Sequence, residues 1–168
     1  MERRQKTQGD PWKSLIRLLR YRPRSVAEAR KRLRSLRFSD TQIDKTISKA
    51  QSLGLLDDEA FAKVWIEDRL LSHPLSRRAI MQELTDKGID RVLAGNTLNV
   101  LYPAASEREV AIKLAGNRLS RYANLDTTTR TQRTISFLAR RGFDFFLARS
   151  AVEAAEKEPS KDTANDSN

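Results

Sequence analysis

No cysteine occurs among the 168 residues, which excludes disulfides, thiolate metal sites and thiol nucleophiles. Histidine occurs once, as His73, so any Ser-His-Asp relay would have to use it. It stands beside Pro74 at an expected helix break, with no Gly-rich elbow nearby, and reads as an exposed turn residue. The six glycines are scattered and build no phosphate-cradling loop. Asp57 and Asp58 come nearest to a metal site, yet no further carboxylate follows at ligand spacing. An acidic pair entering an apolar-periodic helix reads instead as a cap. These gaps leave too few groups for acid–base or nucleophilic chemistry, so no catalytic residue, cofactor or metal is expected. No apolar run approaches the roughly 18 residues of a membrane span. The charged N-terminus also lacks the apolar centre of a secretory signal. The expected compartment is therefore the reducing cytoplasm, with no membrane partner.

What is abundant is positive charge, +10 in all, and it is unevenly placed. Residues 1–40 hold 13 Lys/Arg against 4 Asp/Glu, and residues 41–118 balance at 11 of each. Residues 119–149 hold 6 against 2, and residues 150–168 hold 2 against 5. A basic head, a neutral middle and a second basic patch point to a polyanion or an acidic protein surface as partner.

A pattern of about 50 residues recurs. Leu33 to Asp40 reappears as Leu84 to Arg91 and again as Leu138 to Phe145, and Arg37 of the first copy aligns with Gly88 and Gly142. Pro23 and Ser25 return at the same interval as Pro74 and Ser76. Val110, Ala111, Leu114, Arg118 and Leu119 echo Phe61, Ala62, Trp65, Arg69 and Leu70. One helical unit used three times favours a binding surface over a pocket enzyme.

Apolar residues recur at helical spacing and nowhere alternate as in a strand. A first helix is expected from Pro11 to Arg22, stopped by Pro23. Ser25 caps a second carrying Val26, Ala29, Leu33 and Leu36, and Ser39 or Asp40 caps a third carrying Ile43, Ile47 and Ala50. The second unit buries Phe61, Ala62, Trp65, Ile80 and Leu84; the third is expected to start at a Ser106 cap and to carry a polar loop, Tyr122 to Thr129. The expectation is an all-α chain of three tandem three-helix repeats forming an elongated, curved array. Its parts are a flexible N-terminus (1–10), repeats at 11–56, 57–103 and 104–157, and a disordered tail (158–168).

Candidate binding residues follow from the basic stretches. Arg30, Lys31, Arg32, Arg34 and Arg37 share a segment with the Val26/Leu33 core stripe and fan over its outer side. Arg30, Arg34 and Arg37, at i, i+4 and i+7, are expected to form one exposed stripe. Arg20, Arg22 and Arg24 extend the patch across Pro23, and Arg140 and Arg141 mark the third unit. Guanidinium groups suit phosphate oxygens, whose contacts supply sequence-independent affinity. Tyr21 is the lone aromatic between Arg20 and Arg37, which argues against a dedicated single-strand reader there. The helix pair at 25–53 could act as a helix-turn-helix, which keeps a direct DNA-binding protein as the alternative.

These residues resemble the RecX family of bacterial recombinase regulators over roughly residues 12–153. The resemblance rests on Arg22-Pro-Arg-Ser with Glu28 and Leu33, on Gly54-Leu-Leu-Asp57-Asp58-Glu-Ala-Phe61-Ala62, on Arg69, on Glu83-Leu84 with Lys87-Gly88-Ile89, and on Arg140-Arg141-Gly142-Phe143. Arg37 departs from the family's common Gly before an aromatic, and Tyr122 to Thr129 is unusually polar and Thr-rich. The resemblance implies a curved array of three-helix repeats. It also implies a monomer that binds the RecA filament on single-stranded DNA along its groove and inhibits strand exchange, ATP hydrolysis and coprotease activity. Direct binding to nucleic acid alone is expected to be weak.

Overall fold

In the computed structural model of the chain, residues 9–157 are described, and they form nine α-helices with no strand among them. In order these are α1 (Pro11–Leu19), α2 (Val26–Ser35), α3 (Asp40–Ser52), α4 (Asp58–Ser72), α5 (Arg77–Asp86), α6 (Arg91–Leu101), α7 (Ala104–Arg121), α8 (Thr127–Arg140) and α9 (Phe145–Lys157). Residues 1–8 and the expected tail, 158–168, lie outside the described residues. Of the expected N-terminal segment, Asp10 has a definite task. Its Oδ1 accepts the Trp12 N–H at 2.9 Å and caps α1, with Pro11 at the first helical position.

Three boundaries differ from the sequence reading. α1 stops at Leu19 and not Arg22, because the residue before Pro23 is pushed out of the helical region. The freed Arg22 side chain turns to Glu28. α7 begins at Ala104 with Pro103 as an N-cap that makes no side-chain hydrogen bond, so Ser106 lies inside the first turn and caps nothing. Thr127, Thr128 and Thr129 belong to α8, whose N-cap Asp126 accepts the Thr129 N–H at 2.9 Å; the loop is only 122–126.

The chain divides into two compact units, and the division runs through α4, α5 and α6. One unit holds the chain up to Trp65 together with Glu83–Thr97. Its core is Leu15, Ala29, Leu33, Phe38, Ile43, Ile47, Ala50 and Leu56, drawn from α1–α3 and the segments that follow α2 and α3. Full burial of each large aliphatic side chain there stabilises by about 1.5–3 kcal/mol. Around the N-terminus of α2 the unit is joined by polar contacts. Ser25, fully buried, accepts the Glu28 N–H at 3.1 Å and donates its hydroxyl to the Lys87 carbonyl at 2.6 Å. Asp58, at the start of α4, accepts the Val26 N–H at 2.8 Å.

The other unit holds Ile66–Gln82 and the chain from Leu98. Its core is Ala111, Ala115, Leu119, Leu138, Phe143, Ala148, Ala151 and Val152, from α7–α9 and the turn before α9. The same kind of joint recurs around the N-terminus of α5. Ser76 accepts the Ala79 N–H at 3.1 Å, and its own N–H donates to the Arg141 carbonyl at 3.0 Å. Glu107, in the first turn of α7, accepts the Arg77 N–H at 2.8 Å. Each unit is thus built around a joint between one repeat pattern and the next, which explains why the division falls inside helices.

Candidate functional site

The nine candidate cations separate once their partners are known. Arg22 places two nitrogens on Glu28, at 2.7 and 3.0 Å, and donates to the Pro23 carbonyl at 2.9 Å. Lys87 reaches the same carboxylate at 3.1 Å. Burial would raise the Glu28 carboxyl, but hydrogen bonds from Arg22 and Lys87 outweigh it and hold the group down to about 2. Arg22 is therefore consumed inside the joint. Arg24 is half-buried, its Nε out of solvent and without a hydrogen bond.

The expected stripe on α2 is largely neutralised. Arg30 pairs with Asp44, and Arg34 Nε lies 3.2 Å from Asp40 Oδ1, so α3 supplies a carboxylate to each. Arg37 lies beyond the end of α2 in the left-handed backbone region, φ 65°, and so leaves the helical stripe. Arg20, Lys31, Arg37 and Arg140 are exposed, and no ion pair joins them to a carboxylate among the described residues. Arg141 is half-buried and donates to the Pro74 carbonyl at 2.7 Å, with His73 Nδ1 3.5 Å away.

A second group of cations surrounds Arg141. The stretch from Leu114 to Arg141 holds six arginines and one acid, Asp126. Leu114, Asn117, Arg118 and Arg121 lie at i, i+3, i+4 and i+7 on α7 and share one face. With Phe137 of α8 and Arg141 they line a pocket of about 350 Å³. The Arg118 guanidinium sits 4.2 Å from the centre of the Phe137 ring and 5.4 Å from that of Tyr122. Arg141 lies 4.7 Å from Phe137, and Arg133 6.0 Å from Tyr122. Such cation–π contacts fix the plane of a guanidinium while leaving its edge N–H groups to other partners.

Four arginines therefore converge without a carboxylate among the described residues, whereas the nearby Arg130 has Glu156 at 3.9 Å. Burial, and then the charge of Arg118, lowers the pKa of Arg141. Arg118 Nε is itself buried without a hydrogen bond. An arrangement of this kind stabilises an incoming anion by relieving like-charge crowding and by offering planar donor forks.

Arg118, Arg121 and Arg133 were not among the sequence candidates. The net charge of 119–149 signalled a patch, but Arg118 read as a register marker because it echoes Arg69. Only the packing of α7 on α8 shows that its head group meets two rings. The residues weighed for chemistry have structural tasks. Asp57 Oδ1 caps α4 through the Glu59 and Ala60 N–H groups, at 2.8 and 3.1 Å. Asp58 does not cap α4; it holds Val26. No cluster of three or more His, Asp or Glu able to hold a metal ion occurs among the described residues. No helix among them is long and apolar enough to cross a membrane.

Known proteins share this organisation. The family model "RecX, second three-helix domain" matches residues 57–98, and "RecX, third three-helix domain" matches 106–152. The regulatory protein RecX of Amycolatopsis mediterranei (strain U-32) is 33% identical over 141 residues, covering 84% of this chain and 80% of that protein. The regulatory protein RecX of Streptomyces coelicolor (strain ATCC BAA-471 / A3(2) / M145) is 31% identical over 148 residues, covering 88% and 78%. The crystal structure of RecX from Lactobacillus salivarius superposes with a TM-score of 0.75 at 23% identity, over 87% of this chain and 94% of that one. At that identity the likeness speaks for the fold.

Proposed function

The chain belongs to the RecX family, and on that premise we propose that it is a non-catalytic regulator that docks on a RecA filament assembled on single-stranded DNA. Bound along the filament groove as a monomer in the cytoplasm, it suppresses recombinase, ATPase and coprotease activities. The observation that carries this reading is that Arg118 of α7, Arg133 of α8 and Arg141 just beyond α8 have neighbouring rings but no carboxylate partner among the described residues. A cationic surface of this kind needs a polyanionic partner, and a nucleoprotein filament supplies one. Regulation then needs no chemistry from this protein, because bridging neighbouring protomers impedes their nucleotide-linked rearrangements.

The helix-turn-helix alternative is weaker. The second helix of such a pair reads the bases, and here that helix, α3, carries Asp40 and Asp44, acids that repel a phosphate backbone and are engaged by Arg34 and Arg30 of α2. Co-sedimentation separates the two. The protein should pellet with RecA on single-stranded DNA far more than with RecA alone or DNA alone, and it should slow RecA ATP hydrolysis. Tight binding to one duplex sequence, persisting at high salt and indifferent to RecA, would sink the regulator reading.

A further inference from the structure

The pocket on α7 and α8 has walls of two kinds. Arg118, Arg121 and Asn117 give polar donors, while Leu114 and the Phe137 ring give apolar surface. We propose that this pocket binds a phosphodiester of single-stranded nucleic acid. Arg118, Arg121 and Asn117 meet the phosphate, and the attached sugar or base lies against Leu114 and Phe137. The assignment rests on the filament reading for its biological setting, but its chemistry is independent of RecA.

Three observations carry it. First, the cations lack counter-charge. Arg118, Arg133 and Arg141 lie against two rings, Arg121 lines the same pocket as Phe137, and none of the four has a carboxylate partner among the described residues. Arg141 already spends Nη1 on the Pro74 carbonyl, so it contributes field and holds Phe137, leaving Arg118 and Arg121 as the donors. Second, Arg118 is pre-oriented between Phe137 and Tyr122, which reduces the entropy lost when its fork closes on oxygen atoms. Third, the site is concave, and apolar wall stands next to charge. A duplex presents its phosphates on a convex rod with the bases turned inward, so it cannot fill such a pocket. A single strand can turn its sugar and base toward the aromatic wall while its phosphate meets the arginines. Arg133, exposed and lying over Tyr122, extends the cationic track towards the next phosphate.

The test is direct binding without RecA, read by fluorescence anisotropy on the full chain. The probe is a labelled oligothymidylate of about 20 nucleotides, with a duplex of equal length as comparison. Two double variants remove the same charge from exposed positions: Arg121→Ser with Arg133→Ser at the pocket, and Lys31→Ser with Arg37→Ser in the first repeat. Thermal melts establish that both fold. The pocket variant should weaken single-strand binding about ten-fold and flatten its salt dependence by about 0.7 per lost phosphate contact. The first-repeat variant should change it by less than about two-fold, in keeping with sparse aromatics there. Phe137→Leu, which keeps apolar volume but removes the ring, should narrow the preference for single strand over duplex. Equal losses in the two double variants, or equal losses on single strand and duplex, would overturn the assignment. Loss of RecA inhibition in the pocket variant with unchanged oligonucleotide binding would overturn it too, while leaving the regulator reading intact. Single-strand binding through the pocket by a wild-type chain that never inhibits RecA would sustain the assignment and remove the regulator reading.

Discussion

A Cβ placed on Gly88 would lie 2.3 Å from the Ala27 Cβ, and one on Gly142 would lie 2.5 Å from Ser76 Oγ and 2.7 Å from the Ala79 Cβ. Both glycines also have positive φ, +79° and +88°. Two independent costs meet at each position: the left-handed backbone, and a side chain pressed into a neighbouring helix start. Gly88→Ala should therefore destabilise by about 2–4 kcal/mol in urea unfolding. Ala27→Gly in the same chain should recover part of that loss, and a double-mutant cycle with no coupling would show that the contact is not what matters. Arg37 stands at the corresponding place in the first repeat with φ 65°, and its side chain is exposed. Relief of the backbone cost outweighs the added freedom of the unfolded chain, so Arg37→Gly should stabilise by about 0.5–1 kcal/mol. A lower denaturation midpoint for this variant would mean that Arg37 makes a contact worth more than its strain. The repeat register already set Gly88, Gly142 and Arg37 in one column. That the glycines make room for Ala27 and Ser76 was not readable, because those partners lie some sixty residues away in sequence.

The starts of α2 and α5 show how an element can serve as both helix and joint. Ser25 caps α2 and also ties it to the Lys87 carbonyl; Glu28, three residues on, gathers Arg22 and Lys87. Ser25 was legible as a helix cap, and helix existence was legible throughout from apolar periodicity. The cross-connections were not, since a cap looks the same in sequence whether its hydroxyl faces water or a carbonyl. Glu28 makes the joint sensitive to acid. Its pKa is depressed in the folded chain, so its stabilising contribution is fully present above the ordinary carboxylate range. It fades as pH falls from about 4.5 towards 2. Discounted for solvent reaching the group, that contribution is about 1–2 kcal/mol. Glu28→Gln should be less stable than the native chain at neutral pH, and the gap should close across that acid window. A gap constant down to pH 2 would show that Glu28 acts through shape and not through charge.

Across the whole molecule, net charge misleads where local pairing intervenes. The first forty residues hold the greatest excess of Lys/Arg, yet Arg22, Arg30 and Arg34 each have a carboxylate within reach. Lys31 and Arg37 are exposed and have no such partner among the described residues. Composition counts all five alike, which is why the candidate surface was only partly legible. The difference can be measured with two variants that lose the same formal charge. Arg30→Ser with Arg34→Ser removes cations whose field Asp44 and Asp40 already oppose, and it leaves those acids unmatched. Lys31→Ser with Arg37→Ser removes unopposed cations. Beyond the Debye length, about 8 Å at physiological ionic strength, exposed charges are largely screened, so the field that a docking partner feels is set by local pairs and not by the total. If the first repeat faces the filament, the Lys31/Arg37 variant should raise the concentration needed for half-inhibition of RecA ATPase several-fold. The Arg30/Arg34 variant should raise it by less than about two-fold at physiological salt, because Asp44 and Asp40 hold those guanidinium groups away from direct contact with the partner and only a screened long-range field is lost. The two should converge at low salt, because there the lost charge acts over longer distances and both variants have lost the same amount. A larger effect from Arg30/Arg34 at every salt concentration would mean that those arginines leave their acids on docking, and that the α2–α3 ion pairs open as part of filament recognition.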